Sequence, residues 1–341
     1  MPGRGPGQGP TGDGGPEAQA AGEAGSSGMN EPITRRAVLR RWLERCGVRP
    51  SRRLGQNFLV DEGWAERIVA AAEPGPDDLV LEVGPGLGAL TERLVRRAGR
   101  VVAVEVDRRL ADALRQRLGP LANLELVVAD VLRVDLARLV AAPEGGAAGG
   151  EPGAGRPRDR VKLVSNLPYA ITSPFLVRWL TTPLRWERAV LTLQEEVVER
   201  LLAPPGTAAY GALTVFVAYH ARVERLGTVP AGAFWPRPAV DSAVVRLWPH
   251  PRPPVTVADP AALFALVRAA FGRRRKRLAN ALAAHPAVGR QEAEAACRAA
   301  GIDPGARPED VDLEGFARLA NHLFPSPAGP GSGRGTSLGY N

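Results

Sequence analysis

The stretch LVLEVGPGLG, residues 79–88, decides the fold of this chain. Its first half is an apolar run of strand type, its second half is a glycine-rich turn, and the amphipathic pattern of Ala89–Arg97 predicts a helix directly afterwards. A glycine-rich turn between a strand and a helix lets the backbone approach a bound nucleotide closely. The stretch therefore predicts a Rossmann-like α/β fold with a ligand at this turn.

Further short apolar runs alternate with helical patterns along the chain. The predicted parallel strands are Leu79–Val83, Val101–Val106, Leu124–Val128, Val161–Ser165 and Ala189–Leu193. Two later runs, Val223–Val229 and Ala243–Trp248, follow each other closely and predict an antiparallel pair at one sheet edge. Together these runs predict a seven-stranded, mostly parallel, doubly wound sheet.

Composition and Gly/Pro punctuation divide the chain into two expected domains and several connecting segments. Residues 1–28 are rich in Gly, Pro and Ala, have little to bury and are expected to be disordered, which leaves Met1 and Met29 as alternative starts. The other expected segments are an Arg-rich helix or arm at 29–53, an α/β domain at 54–249 with a surface insertion at 143–158, a linker at 250–257, a small helical domain at 258–325 and a disordered tail at 326–341. Within the helical domain, the predicted helices are Pro260–Ala284, Arg290–Ala300 and Leu313–Leu323.

Basic residues are clustered along the sequence. The chain has 44 Lys and Arg against 36 Asp and Glu, a net charge of +8, and eight arginines fall between Arg35 and Arg53. A second cluster, expected in a helix, is the run Arg273, Arg274, Arg275, Lys276 and Arg277. Such clusters predict phosphate contacts with a polyanionic partner, and a solvated helix face is the alternative interpretation.

Several other classes of protein are disfavoured. No apolar run approaches the roughly 20 residues of a membrane helix, and the N-terminal segment lacks the apolar core of a secretory signal, so we expect a cytoplasmic protein. Cys46 and Cys297 are far apart, and neither has a Cys or His at metal-ligand spacing. We therefore expect no disulfide framework and no metal site.

The glycine turn alone leaves the cofactor open. Gly84, Gly86 and Ala89 also satisfy the dinucleotide pattern, and Glu105 at the end of the next strand suits a nicotinamide cofactor as well as S-adenosylmethionine. Glu82, directly before the glycines, and Asp130, which closes the strand after Glu105, favour S-adenosylmethionine. This cofactor offers ribose hydroxyls, an adenine amine and an ammonium group to carboxylates, and it has no pyrophosphate to repel them.

The tetrapeptide Asn166-Leu167-Pro168-Tyr169 follows another predicted strand, at the sheet edge where ligands bind in this topology. An exocyclic adenine amine is a poor nucleophile because its lone pair is conjugated into the ring. Two acceptors, the Asn166 side-chain carbonyl and the Leu167 backbone carbonyl, would hold its two hydrogens, while the Tyr169 ring stacks on an extruded base. The tetrapeptide therefore indicates methylation of adenine, although it also suits a plain turn after a strand.

These motifs resemble the KsgA/RsmA family of ribosomal RNA adenine dimethyltransferases over about Leu54 to Asn321. The segments that carry the resemblance are LGQNFL at 54–59, EVGPGLG at 82–88, Glu105 with Asp107, Asp130, NLPY at 166–169, LQEEVV at 193–198, AYG at 209–211, Ala233-Phe234 with Pro236 and Pro238, VDSAVVRL at 240–247 and GIDP at 301–304. Three features depart from the family pattern: Glu195 stands at a commonly basic position, the Gly-rich insertion is long, and the Arg-rich leader before Leu54 is extended.

The resemblance implies a fold, an activity and a set of site residues. The fold would be that of a class I methyltransferase with a small C-terminal helical, RNA-binding domain. The activity would be S-adenosylmethionine-dependent N6-dimethylation of two adjacent adenosines near the 3′ end of 16S rRNA, with the small-subunit precursor as partner and the chain acting as a monomer. The implied cofactor-binding residues are Asn57, Leu59, Gly84, Gly86, Glu105, Asp130 and Asn166. Phe234 would face Tyr169 across the target base.

Three alternatives remain at this point. The first is a 23S rRNA adenine dimethyltransferase of the macrolide-resistance type, which shares an Asn-x-Pro-Tyr motif. The second is an assembly factor that mainly binds immature small subunits. The third, a nicotinamide-dependent dehydrogenase, leaves Asn166–Tyr169 and the basic clusters without a role.

Overall fold

The structure is a computed structural model, and it describes residues 31–51, 53–141, 161–273 and 276–325. In chain order its helices and strands are α1 (Arg36–Arg45), β1 (Phe58–Leu59), α2 (Glu62–Ala72), β2 (Leu79–Val83), α3 (Thr91–Leu94), β3 (Arg100–Glu105), α4 (Arg108–Leu118), β4 (Leu124–Val128), α5 (Leu136–Val140), β5 (Val161–Asn166), α6 (Thr172–Thr181), β6 (Trp186–Gln194), α7 (Glu195–Leu202), α8 (Ala212–His220), β7 (Ala221–Val229), β8 (Phe234–Trp235), β9 (Ser242–Pro249), α9 (Pro260–Gly272), α10 (Leu278–Leu282), α11 (Arg290–Ala299) and α12 (Leu313–Leu323). The predictions for residues 1–28, 143–158 and 326–341 lie outside the described residues.

The central layer is a seven-stranded sheet in the order β4-β3-β2-β5-β6-β9-β7. The first five strands in this order are parallel, and β9 pairs antiparallel with both β6 and β7. Every residue of β2 is buried, which explains its almost continuous apolar sequence. The predicted seven-stranded, mostly parallel sheet with an antiparallel pair at one edge is confirmed.

Helices cover both faces of this sheet. On one face, α2 contributes Ile68 and Val69 to a cluster with Val80 of β2. On the other face, the core continues without a break from the strands into the C-terminal helices α9–α12. Phe264 of α9 packs on Phe216 of α8 with ring centroids 4.8 Å apart, which joins the C-terminal helices to the sheet layer.

The helix after the glycine turn is shorter than predicted. The sequence pattern covers Ala89–Arg97, whereas α3 spans only Thr91–Leu94 and has turns on both sides. Glu92 and Arg93 are 8% and 7% exposed, so this short helix is buried even at charged positions. Their burial is possible because Glu92 forms ion pairs with both Arg93 and Arg117.

The predicted single helix over Pro260–Ala284 is also wrong. It is divided into α9 and α10, and Arg273 caps the end of α9 while Arg277 precedes α10. The chain turns here because the amides of Leu278 and Ala279 donate to the carbonyls of Ala306 and Pro304 instead of continuing α9. Arg273, Lys276 and Arg277 thus lie between two helices and not within one, and Arg274 and Arg275 lie outside the described residues.

Candidate active site

The glycine turn packs directly against two segments that are distant in the sequence. Gly84 and Gly86 have φ values of 66° and 57°, in the region that favours glycine. A Cβ atom on Gly84 would lie 3.0 Å from Cγ of Pro168, and one on Gly86 would lie 3.0 Å from Cε1 of Phe58. The turn therefore needs glycine both for its backbone conformation and for these close approaches.

Glu82 lies at the base of this turn as a buried carboxyl group. It is 2% exposed, and its Oε2 has no hydrogen-bond partner in the part of the chain that the structure describes. Burial raises the pKa of Glu82 to about 8, the nearby Thr91 opposes this shift, and the Glu105 carboxylate adds to it. Glu82 is thus mainly protonated at pH 7 and would ionise beside a bound cation.

Two further carboxylates end the neighbouring strands. Glu105, 4% exposed, accepts hydrogen bonds from the backbone amides of Gly86 (3.1 Å) and Asp107 (3.0 Å). Burial raises the pKa of Glu105, and these amide donors oppose the shift. Asp130 follows β4, accepts from the Leu132 amide at 2.9 Å and lies 3.5 Å from Arg133. Both carboxylates therefore stand at the carboxyl edge of the sheet, as the sequence predicted.

Asn166 is the last residue of β5, and its side-chain amide has a fixed orientation. Its Nδ2 donates to the backbone carbonyl of Asn57 with a distance of 2.9 Å. Since an amide side chain carries its donor and its acceptor on opposite branches, this bond turns Oδ1 away from Asn57 and leaves it available to accept. Asn57 itself is held by a 3.3 Å bond from its Nδ2 to the Gly55 carbonyl.

Tyr169 is anchored at its hydroxyl. The hydroxyl group forms a 2.5 Å hydrogen bond with Oγ of Ser242, the fully buried first residue of β9. Burial raises the pKa of Tyr169, so the hydroxyl stays neutral at physiological pH. A Cβ atom on Gly55 would lie 2.9 Å from the Tyr169 backbone nitrogen, so the chain also passes very close to the start of this residue. The Tyr169 side chain is therefore held at its hydroxyl, and its backbone is packed closely against Gly55.

The structure brings most of the predicted site residues together. One cavity is lined by Asn57, Leu59, Gly84, Gly86, Glu105 and the tetrapeptide Asn166–Tyr169. A second cavity is lined by Asp130 and shares Gly84, Glu105 and Pro168 with the first. Phe234 does not line either cavity: it is fully buried in β8 and pairs with Leu59.

These residues fit S-adenosylmethionine. The unpartnered Glu82 oxygen in a buried site suits a cationic group, since an ion pair there would offset the cost of ionising the carboxyl. Glu105 and Asp130 offer acceptors for hydroxyl and amine donors at the ends of successive strands. The residues that would hold the cofactor include Glu82, Glu105 and Asp130, the three carboxylates that the sequence singles out.

A buried network of charged side chains, which the sequence does not predict, lies beside the glycine turn. Arg117 of α4, 4% exposed at its side chain, donates from Nε to the Leu87 carbonyl (2.8 Å) and from Nη2 to the Gly88 carbonyl (3.3 Å). Its Nη2 also lies 2.8 Å from Glu92, which pairs at 2.8 Å with Arg93. Arg93 in turn donates to the Ala89 carbonyl at 2.9 Å. Two arginines bridged by one glutamate thus hold three successive carbonyls of the turn.

Glu195, which stands at a commonly basic family position, forms an ion pair in the structure. Arg225 of β7 lies 2.7 Å from Oε1 of Glu195 and donates to its Oε2 at 3.1 Å. The Arg225 side chain remains 38% exposed. Although an acidic residue occupies position 195, a basic group of a neighbouring strand therefore remains at this surface.

The strand order, the carboxylates at successive strand ends and the asparagine that follows β5 define a class I methyltransferase. Residues 48–324 match the sequence model of the family described as ribosomal RNA adenine dimethylase. The chain belongs to this family, and it is an S-adenosylmethionine-dependent methyltransferase.

Known relatives agree with this assignment. The chain is 46% identical over 289 residues to the ribosomal RNA small subunit methyltransferase A of Pelotomaculum thermopropionicum, with 84% of this chain and 96% of the relative covered. It is 44% identical to the protein of the same name from Moorella thermoacetica, with 81% and 93% covered. Among solved structures, the 23S rRNA methyltransferase ErmE has a TM-score of 0.56 and 32% identity, with 78% of this chain and 99% of ErmE covered.

Replacing Glu82 with Gln should raise the stability of the cofactor-free protein and weaken cofactor binding. In the wild type the unfolded chain ionises Glu82 above its ordinary pKa of about 4.3, whereas the folded chain stays protonated until about pH 8, so folding becomes less favourable as pH rises between these values. The stability advantage of Glu82→Gln should therefore grow by about 3 kcal/mol between about pH 5 and about pH 7.5. Denaturant unfolding at both pH values measures it.

Calorimetry supplies the second measurement for Glu82. S-adenosylmethionine should bind the Gln variant more weakly, because an amide cannot become an anion beside the cofactor's positive charge. A stability difference that does not change with pH would show that Glu82 is ionised in the folded protein.

Replacing Arg117 with Lys should weaken S-adenosylmethionine binding roughly tenfold, because lysine keeps the charge but cannot hold Glu92 and two carbonyls at once. Arg115→Lys is the matched control, since Arg115 lies on the same helix, is 49% exposed and pairs with Asp112 at the surface. Calorimetry measures the change in cofactor affinity, and a binding assay measures the affinity for RNA. If Arg117→Lys lowered the melting temperature but left cofactor affinity unchanged, the network would stabilise the fold without positioning the turn.

Proposed function

We propose that this chain dimethylates N6 of two adjacent adenosines near the 3′ end of 16S rRNA during assembly of the small ribosomal subunit. The family membership supports the reaction type. The small-subunit target is supported by relatives named as small-subunit methyltransferases, which are 46% and 44% identical to this chain and of which more than nine-tenths is covered.

The observation that carries this proposal is the hydrogen bond between Asn166 and the Asn57 carbonyl. With Nδ2 held in this way, Oδ1 is left as an acceptor for one hydrogen of the target amine. The backbone carbonyl of Leu167 would accept the other hydrogen, since Leu167 lines the same cavity. Two acceptors on the two hydrogens favour a pyramidal nitrogen, whose lone pair is then available for methyl transfer.

S-adenosylmethionine supplies a methyl group on a positively charged sulfur that leaves as a neutral thioether. The residues of this chain bind it, place the amine against it and exclude water. No strong base is needed, because the nitrogen becomes acidic only once it has been alkylated and can then lose its proton when the methylated base returns to solvent. Catalysis by positioning and electrostatics is therefore sufficient.

Tyr169 is proposed to stack on the target base. Its ring lines the cavity, and its hydroxyl is already committed to Ser242. A ring held in this way offers a flat surface without further loss of rotamer freedom on binding, and stacking of this kind contributes about 1 to 3 kcal/mol per base. Phe234 could reach the opposite side of the base only after rearrangement, because it is fully buried.

The clustered basic residues are proposed to contact RNA phosphates. Arg36 on α1 and Arg273, Lys276 and Arg277 at the α9–α10 junction are exposed, and within the described ranges no carboxylate lies at ion-pair distance from them. Arg35 and Arg41, by contrast, pair with Glu31, and Arg40 pairs with Glu44. The residues without an acidic partner are therefore the better candidates for phosphate contacts, together with Arg274 and Arg275.

The protein is also proposed to act as a monomer in the cytoplasm. We propose a monomer as the active species, as the family resemblance implies. Within the described residues, no helix is both long and apolar enough to cross a membrane. A ribosomal RNA substrate in turn supports a cytoplasmic location.

Replacing Asn166 with Ala should lower the single-turnover rate of methyl transfer to small-subunit particles by a factor of roughly a hundred or more, because one preorganised acceptor is lost. Circular dichroism should show an intact fold. Large-subunit particles are the control substrate, and we expect no methylation of them by the wild type. A parental rate for Asn166→Ala would contradict the mechanism. Preferential methylation of large-subunit particles would instead support methylation of 23S rRNA, the activity for which ErmE is named.

Tyr169 variants separate stacking from hydroxyl chemistry in the same assay. Tyr169→Phe loses the bond to Ser242 but keeps the ring, and it should retain most of the activity. Tyr169→Ala should lose most of it, because stacking depends on the ring.

Replacing both Lys276 and Arg277 with Gln should reduce the steepness of the salt dependence of RNA affinity by roughly 1.4 to 1.8 in the log–log slope, since each phosphate contact contributes about 0.7 to 0.9. Cofactor affinity should stay at the parental value. A double variant of Arg115 and Arg290, which pair with Asp112 and Glu294, is the matched control. A parental salt slope for the Lys276/Arg277 variant would show that these two side chains are merely solvated.

A further inference from the structure

The cavity that holds the predicted cofactor residues has a wall that comes from the N-terminal leader. Ile33 and Leu39 line this cavity together with Glu82, Gly84 and Glu105. Both apolar side chains are 1% exposed. They precede residue 48, where the match to the family's sequence model begins. The segment that supplies them is the Arg-rich leader before Leu54.

Helix α1 is held against the glycine turn by its apolar face. The residues of this face are Val38, Leu39, Trp42 and Leu43, all buried. They form one cluster with Leu87 of the glycine turn and with Leu110 and Ala113 of α4. In addition, Arg109 of α4 donates to the Gly47 carbonyl at 3.2 Å. The helix is therefore packed on the same turn that approaches the cofactor.

The opposite face of α1 is strongly basic. Arg36, Arg40 and Arg41 are exposed, and the last two are only partly neutralised by Glu44 and Glu31 at the surface. The apolar and basic residues of α1 lie on two separate faces. Leu39 is therefore buried because the apolar face of α1 packs against the glycine turn and α4. Leu39 is the residue of this apolar face that reaches the cavity.

We propose that α1 and the residues just before it form the outer wall of the cofactor site, with Ile33 and Leu39 as the apolar side chains of that wall. This rests on the proposed use of the cavity as the cofactor site. Apolar side chains at that position cover part of the cofactor and keep water from the buried carboxyl groups of Glu82 and Glu105. The leader thus takes part in cofactor binding in addition to its proposed contacts with RNA.

A pair of leucines on α1 provides a matched test. Leu39 and Leu43 are one helical turn apart, are 1% and 2% exposed and belong to the same cluster, but Leu43 does not line the cavity. Leu39→Ala and Leu43→Ala should lower the melting temperature by similar amounts, since each leaves a similar void. Only Leu39→Ala should weaken S-adenosylmethionine binding, by about five- to tenfold in calorimetry, because it also opens the wall of the cavity.

Equal cofactor affinities of the two variants would overturn the proposal. If either variant fails to fold, hydrogen exchange on the wild type replaces the comparison: addition of S-adenosylmethionine should slow exchange of the amides in α1, and an unchanged rate would also overturn it. A wild type that does not bind S-adenosylmethionine at all would contradict the proposed function instead, so the two failures are distinguishable.

Discussion

The hydrogen bond from the Asn166 side chain to the Asn57 carbonyl connects the parts of the site that have to act together. It links the end of β5 to the segment that enters β1, which is itself paired with β8. In the proposed mechanism, loss of this bond would let the amide rotate and present a donor to the target amine in place of an acceptor. Because Phe58 packs against Gly86 and Pro168 packs against Gly84, the same small region also determines how closely the glycine turn approaches the cofactor.

Charge is distributed in the site according to what each group must bind. Glu82 and Glu105 are buried under the cofactor cavity, where their pKa values are raised by burial and a cationic ligand would favour their ionised forms. The buried side chains of Arg93 and Arg117 both pair with Glu92 and also donate hydrogen bonds to carbonyls of the turn. Unpaired basic groups lie on the outer surface, where RNA can reach them.

The sequence predicts those features that depend on residues close together in the chain. The buried strand before Gly84 and the tetrapeptide after Val161–Ser165 are contiguous patterns, so the sheet and most cavity residues follow from them. The network of Arg117 and the place of Leu39 in the cavity wall depend on contacts between distant segments, for which a single sequence carries no periodic signal. The prediction of one helix across Arg273–Arg277 fails for the same reason, since the hydrogen-bond partners of α10 come from residues 304–306.

Mass mapping of methylated adenines in ribosomal RNA tests the central claim most directly. The comparison uses a strain that lacks this protein and the same strain supplied with the wild-type chain or with Asn166→Ala. We expect two adjacent dimethyladenosines near the 3′ end of the small-subunit RNA to be absent without the protein and to return with the wild type but not with the variant. Dimethyladenosines that persist without the protein, or a loss confined to 23S rRNA, would contradict the assignment.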